Sequence, residues 1–347
     1  MMVAAREGAP GGVVTASAAR LREFAAEALE TVGVRPRDAE EMAAQIVASQ
    51  AAGHDSHGLR RLPEYIRRVT AGHANPTAET SVDLDRGSVL RVDGHHGFGH
   101  LVLRDATELL IQRAQLHGIA AVAVRNAEYA GRFADFCIRA ADQGIATLLF
   151  ANNSGAGQLV APPGGAEGRM STNPLAAGIP RRPGPHLVLD MATSAVAIGR
   201  ISEWRDRGED IPAAWADSAG VMQFFGGVKG FGLALVVEAL SGALTEAGTV
   251  SERTAPDQQG VLMIGIDISR LRRLDDFHAE VDQFVGYVAE VPVEEGCDPV
   301  RIPGQRGFPD AAGHAEVEIQ PFTWRALRQT ADELGLTPLQ ASTRGER

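Results

Sequence analysis

Between Gly53 and Tyr65 the chain reads Gly-His-Asp-Ser-His-Gly-Leu-Arg-Arg-Leu-Pro-Glu-Tyr, its densest cluster of polar and titratable side chains. An imidazole such as that of His57 titrates near neutral pH and can exchange a proton with an oxygen whose charge is changing. A guanidinium four residues on, Arg61, offers a planar fork that matches a carboxylate. Helical spacing predicts His57 and Arg61 on one face, with Ser56 capping the helix start. Together they would give reduction of a 2-oxo acid a proton donor for the carbonyl oxygen and a clamp for the carboxylate. The plainer reading is a solvated helix start with an ordinary surface arginine.

A second signal comes from a count. Lysine and arginine total 33, and Lys229 is the only lysine. A lone ammonium in an arginine background is a candidate for work that a planar guanidinium cannot do, although one lysine can also survive by chance. Its setting favours the first reading. Gly226-Gly227-Val228-Lys229-Gly230-Phe231-Gly232 leads into an apolar helix, and helix-start amides beside an ammonium suit a phosphate. No Ser or Thr follows the lysine, so this is not a Walker loop. Asp190 closes the apolar run His186–Leu189, where a carboxylate could orient an imidazole or simply cap a helix.

Other chemistries fit less well. His54, Asp55 and His57, or His95, His96 and His100, hint at a metal, but neither set has the HExxH pattern and no cysteine lies near. The expectation is no metal. There is no GxSxG elbow for a serine hydrolase. Asp93–His100 follows a strand and opens a helix, yet Val102 stands where a third glycine would complete a Rossmann fingerprint, leaving a tight turn.

The elements that must position these groups follow from apolar periodicity. Ala16–Val32, Pro36–Ala52 and His57–Thr70 have helical spacing. Ser88–Val92, His100–Leu116, Ile119–Val124, Gly131–Asp142 and Ile145–Phe150 then alternate strand and helix, an α/β pattern. Later come a helix over Val228–Leu244, a strand over Gly260–Ile268, and helices over Phe277–Val291 and Thr323–Leu334. This predicts a helical domain over 15–75, joined by 320–340, an α/β nucleotide- and substrate-binding domain over 76–319, and flexible tails at 1–14 and 341–347. A net charge of −11 argues against nucleic-acid binding. No apolar run is long enough to span a bilayer, and the start of the chain lacks a signal-peptide core. Two distant cysteines, Cys137 and Cys297, suit a reducing compartment, so the expected location is the cytoplasm and no membrane partner is expected.

Taken together, these motifs resemble the type-2 malate/L-lactate dehydrogenase family. That family is unrelated to the Rossmann lactate dehydrogenases and also contains ureidoglycolate, sulfolactate and hydroxycarboxylate dehydrogenases and 2,3-diketogulonate reductase. The likeness runs from about Thr15 to Leu336 through GHDSHGLRRLPEY, VDGHHGFGH, GIAAVAVRNAEYAGR, STNPLAAGIP, LDMATSAVAIGR, GGVKGFGLALVVEALSG and a late IPG. It implies a non-Rossmann α/β fold with a central mixed sheet and a helical domain, a homodimer with its active site near the interface, and NAD or NADP as cofactor. It also implies hydride transfer between that cofactor and a small 2-hydroxy or 2-oxo acid. By motif, His57 is the implied acid/base, Ser56 and Asp190 its relay, and Arg61 the substrate clamp, with Tyr129 also at the catalytic centre. The implied cofactor contacts are Tyr129, Gly131, Arg132, Phe133, Asn153, Val188, Leu189, Met191, Val228, Lys229, Gly304, Gln305 and Arg306.

Four departures stand out. Tyr129 occupies a position where the family usually has His, Arg200 a position where Lys is common, and Gln305 one where Glu is common. Trp215–Gly226 is shorter than in relatives. These departures motivate an alternative: a catalytically impaired relative acting as a binding or scaffold dimer.

Overall fold

The computed structural model describes residues 13–155, 158–217, 220–250, 258–305 and 316–342. They form two compact units. One takes the described residues up to Thr70 and from Glu316 onward; the other runs from Ala71 to Gln305.

The chain enters through strand β1 (Val14–Ser17), followed by α1 (Ala18–Thr31), α2 (Pro36–Ala51) and α3 (Leu62–Thr70). Pro36 suits the first turn of α2 because its missing N–H would be unpaired there, and Asp38 in the same turn complements the amide dipoles. Leu21, Leu29, Met42, Ile46 and Leu62 are fully buried, and the helices pack through these apolar stripes.

The second unit opens with β2 (Ser81–Asp85), β3 (Val89–Gly97), α4 (Gly99–His117), β4 (Ile119–Ala127), α5 (Ala134–Asp142) and β5 (Ile145–Ala151). It continues with β6 (Leu175–Ile179), β7 (Leu187–Met191), α6 (Ile198–Arg207), α7 (Val228–Glu238), β8 (Gln259–Asp267) and α8 (Leu274–Ala289). Seven strands lie in the order β2-β3-β4-β8-β5-β6-β7. Only β3 and β4 pair in parallel, joined by α4; every other neighbour is antiparallel, so the central sheet is mixed. Leu90, Val92, Val122, Val124, Val261 and Met263 from the strands meet Leu103, Leu110 and Phe136 from α4 and α5 in one apolar core.

The chain then returns to the first unit through β9 (Glu316–Ile319) and α9 (Pro321–Leu334). β9 pairs antiparallel with β1, Val14 opposite Ile319. The pattern reading placed 316–319 with the α/β domain; the pairing puts them with the helices. Four-residue strands leave no periodicity to read, which is why this small sheet was missed.

Two expected helices change character. The segment His57–Thr70 is helical throughout only from Leu62, as described below. In Val228–Leu244, α7 gives way at Ala239 to a single π turn through Ala243, closed by the Leu244 amide on the Ala239 carbonyl at 3.0 Å. Among the described residues no helix is long and apolar enough to cross a membrane.

Candidate active site

In the helical unit the polar cluster is not a capped helix. Asp55–His57 and Leu59–Arg61 form two 3-10 turns, separated by Gly58 in an extended conformation with φ −93° and ψ −147°. Ser56 caps nothing; its hydroxyl lies 2.9 Å from Nδ1 of His57. Arg61 does not stack one helical turn above His57. Its Nε turns back to donate to the Ser56 carbonyl at 2.8 Å, while Nη1 pairs with Glu64 at 2.7 Å.

The reason for the break is Gln50, buried at the end of α2. Its Nε2 donates to Asp55 and, at 3.0 Å, to the Glu318 carbonyl of β9, and its Oε1 accepts from the Leu59 amide at 3.2 Å. A Cβ on Gly58 would stand 2.6 Å from Gln50 Oε1, so only glycine allows this approach. Arg60 is held over the Phe322 ring of α9 at 4.5 Å. Gln50 was not singled out from the sequence. Its one signal there is a polar residue on the otherwise apolar stripe Ala39, Ala43, Ile46 and Val47.

In the α/β unit several of the remaining candidates lie on β7 or against it. At its start the Val188 amide donates to the Pro303 carbonyl at 3.3 Å, laying the 302–305 turn against the edge strand. Gly304 has φ +97°, and a Cβ there would meet the His186 carbonyl and approach the Val188 amide to 3.0 Å. Gln305 Oε1 accepts from the Ile302 amide at 2.8 Å, a bond that the more common glutamate could also make. Arg306 lies outside the described residues.

Near its end β7 reaches α5. Asp190 Oδ2 accepts from the Ala134 amide at 2.9 Å, so this carboxylate does cap a helix. Its carboxyl is pushed up to about 6, chiefly by crowding from surrounding atoms, against the opposing pull of the Ala134 amide and the Arg132 guanidinium. The residue is nonetheless exposed, so the push comes from atoms packed close around the carboxyl and not from enclosure away from solvent. Leu189 and Met191, flanking it, are partly buried.

The loop before α5 carries Tyr129, Gly131, Arg132 and Phe133. Arg132 and Phe133 are buried, Arg132 with its Nε 3.2 Å from Asp135, and Tyr129 is half-buried. Gly131 has φ +72° and packs on His100, whose Nε2 would lie 2.8 Å from an added Cβ. Complete burial pushes the His100 imidazole down to about 4, so it is a neutral buttress. Gln259 of β8 completes the support by accepting the Ala130 amide at 2.9 Å. The Asp93–His100 turn thus props the loop, with His95 and His96 both at positive φ of 49° and 58°.

After β7 the chain runs on to Thr193, whose carbonyl accepts the Phe225 amide at 3.1 Å, bringing the start of α7 alongside. Val228 and Lys229 are exposed at that helix start, on the turn Gly226-Gly227. Within the short Trp215–Gly226 stretch Met222 lies against 159–161, with the Ala161 amide on the Met222 carbonyl at 3.0 Å, and Trp215 packs edge-on to Trp204. Asn153 is half-buried beside Asn152, whose amide is committed to the buried Glu238 and to the Gly248 carbonyl, each at 2.9 Å. No cluster of three metal-ligating side chains occurs among the described residues.

The sequence profile of malate/L-lactate dehydrogenase matches residues 16–328. The chain belongs to that family. It is 32% identical to an L-lactate dehydrogenase of Cupriavidus necator over 91% of its length and 96% of that protein's. With a malate dehydrogenase of Pyrococcus abyssi it shares 30% identity over 83% of this chain and 85% of the other. Its fold superposes on the sulfolactate dehydrogenase of Methanocaldococcus jannaschii with a TM-score of 0.81 at 27% identity, covering 94% of this chain and 98% of that one. As a member of the malate/L-lactate dehydrogenase family the protein is an oxidoreductase, and its mixed sheet is that of its structural neighbours.

Proposed function

We propose that this member of the malate/L-lactate dehydrogenase family transfers hydride between NAD or NADP and a small 2-hydroxy or 2-oxo acid. The observation that carries the reading is the Ser56–His57–Arg61 cluster. A hydroxyl bonded to Nδ1 fixes the imidazole plane and leaves Nε2 as the proton-exchanging atom. The guanidinium is held by the Ser56 carbonyl and Glu64 as a fixed clamp for a carboxylate. In this reading His57 moves the proton at the substrate oxygen and Arg61 binds the acid group. Ser56 and Asp190 serve as its relay, and Tyr129 donates where relatives have His.

The residues around β7 suit a dinucleotide. Gly131 lets its loop pack on His100, Gly304 lets the 302–305 turn pack on the start of β7, and Lys229 sets an exposed ammonium at a helix start, where phosphate oxygens are stabilised. When bound, the nicotinamide supplies the two-electron acceptor or donor. Tyr129, Gly131, Arg132, Phe133, Asn153, Val188, Leu189, Met191, Val228, Lys229, Gly304, Gln305 and Arg306 form the proposed cofactor set, with Lys229 on the phosphates.

We further place the protein in the cytoplasm, on its two unpaired thiols, and read it as a homodimer. Beside Lys229, α7 holds Val228, Leu235 and Val236 about half or more exposed, an apolar face suited to a second copy. The deciding experiment screens a panel of 2-oxo acids with NADH and with NADPH while following reduced-cofactor absorbance. Turnover with at least one acid is expected. Cofactor binding without turnover on any acid would replace this reading with that of a binding or scaffold dimer.

A further inference from the structure

Among the described residues, three of the five non-glycine positions with positive φ stand at the carboxyl ends of the parallel pair β3 and β4: His95 at 49°, His96 at 58° and Asn126 at 53°. The ladder breaks there on both sides of β4. Between β3 and β4 the pairing jumps from Asp93 opposite Arg125 to Gly97 opposite Ala127, so three residues of one strand face one of the other. Between β4 and β8 it jumps from Val124 opposite Val261 to Ala127 opposite Gln259. Asn126 is thus a bulge residue in both ladders. Bulges re-aim a neighbouring side chain, and non-glycine residues keep such angles only where their surroundings hold them there.

One buried carboxylate does the holding. Asp93 Oδ1 accepts from the His95 amide at 2.9 Å and from Asn126 Nδ2 at 3.0 Å, and its Oδ2 accepts from the same Nδ2 at 2.9 Å. Arg125 Nε stands 3.3 Å from Oδ2. Burial works to raise this carboxyl, but the Asn126 amide, the His95 N–H and the charges of His95 and Arg125 keep it below the ordinary carboxylate range. It is therefore ionised and offers acceptors only. A single side chain ties the bulge of β3 to that of β4.

These bulges shape the stretch that carries Tyr129. The Glu128 amide donates to the Gly97 carbonyl at 2.9 Å. A Cβ on Gly94 would come within 2.8 Å of the Asn126 carbonyl, and one on Gly99 would meet the Glu128 carbonyl and stand 2.6 Å from Ala130 Cα. The 94–99 turn thus runs backbone to backbone along 126–130. The far end of the loop has anchors of its own, since Gln259 takes the Ala130 amide, His100 backs Gly131 and Asp190 takes the Ala134 amide.

We propose that Asp93 is a positioning residue, which through Asn126 and the strained 93–97 turn fixes where the Tyr129 phenol stands. The inference rests on the reading of Tyr129 as a proton donor in the proposed reaction. Because the far end of the loop is anchored separately, Asp93 governs the phenol and leaves cofactor binding nearly untouched.

The test labels the full chain with fluorotyrosine. Its three tyrosines, Tyr65, Tyr129 and Tyr287, give three fluorine resonances, and the one lost in Tyr129→Phe is that of Tyr129. Asp93→Asn turns an NH2 group toward that of Asn126 and should displace or broaden the Tyr129 resonance alone. Adding Asn126→Asp sets a donor against an acceptor again and should return it. Asn126→Gly removes the amide at a φ that glycine tolerates, so it should give the same displacement without added backbone strain. In turnover, Asp93→Asn should lower kcat roughly tenfold, the scale of a misplaced reacting group, with the reduced-cofactor Kd within about twofold. In a Tyr129→Phe background its further effect on kcat should shrink to less than about twofold. A Tyr129 resonance unmoved by Asp93→Asn, a displacement shared by all three tyrosines, or equal kcat losses with and without the Tyr129 hydroxyl would overturn the proposal. The resonances are read whether or not any 2-oxo acid is turned over, so failure of the dehydrogenase reading and failure of this one are told apart.

Discussion

The 54–64 segment and the β7 cluster reach toward chemistry by opposite means. In the first, side chains act: an imidazole, a hydroxyl and a guanidinium, each held by a named bond. In the second, the arrangement rests on close packing, of Gly131 on His100 and of Gly304 on the start of β7, that a Cβ would prevent. Regions of the first kind should fail chemically when mutated and keep their fold. Those of the second kind should fail sterically and lose binding and stability together.

The sharpest break is His57→Ala. Turnover should fall about 10²-fold or more, the scale of lost general-acid catalysis, with the circular dichroism spectrum unchanged. A variant with full activity would remove His57 from its assigned role. Gly131→Ala should instead lower stability by about 1–3 kcal/mol, because alanine is strained at that φ and strikes His100. Its cofactor affinity, followed by NADH fluorescence, should fall with it. Adding His100→Ala relieves the steric part, so partial recovery in the double variant would separate collision from backbone strain.

Lys229→Met tests the one side chain assigned to phosphates in the second region. Cofactor Kd should rise about tenfold, the scale of one charge-assisted hydrogen bond, with kcat nearly unchanged. Asp190 sharpens the comparison through pH. Its folded-state pKa of about 6 lies above the ordinary 3.8, so the native state binds the extra proton between these values. Asp190 therefore lowers stability as pH rises through that window, and Asp190→Asn should flatten the decline in urea midpoints measured from pH 4 to pH 7. The smallest effect is expected from Gln305→Glu, within about 0.5 kcal/mol, since the acceptor for the Ile302 amide survives.

How much of this was legible follows from the same contrast. The long elements, such as α4 and β8, carry strong apolar periodicity and were read within a few residues. The side-chain cluster was visible as a local density of polar types. Its geometry was not, because the break at Gly58 depends on Gln50, which also reaches the Glu318 carbonyl 268 residues further along. Local spacing holds no record of such a contact. The β7 cluster was legible only through its likeness to a family, because backbone approach leaves little trace beyond glycines. His100 illustrates the loss: it read as one of several histidines in a turn, and its part is to prop Gly131 from beneath. Gln305 shows the reverse, an apparent departure whose bond to the Ile302 amide a glutamate could make equally well.

The pairing of β1 with β9 also sets an order of events during synthesis. The segment bearing His57 leaves the ribosome well before the strand that closes its unit and supplies the Gln50 acceptor. At ordinary elongation rates the interval is on the order of ten to fifty seconds. During that interval the seven strands of the central sheet emerge, while His57 waits on a nascent chain that still lacks β9 and α9.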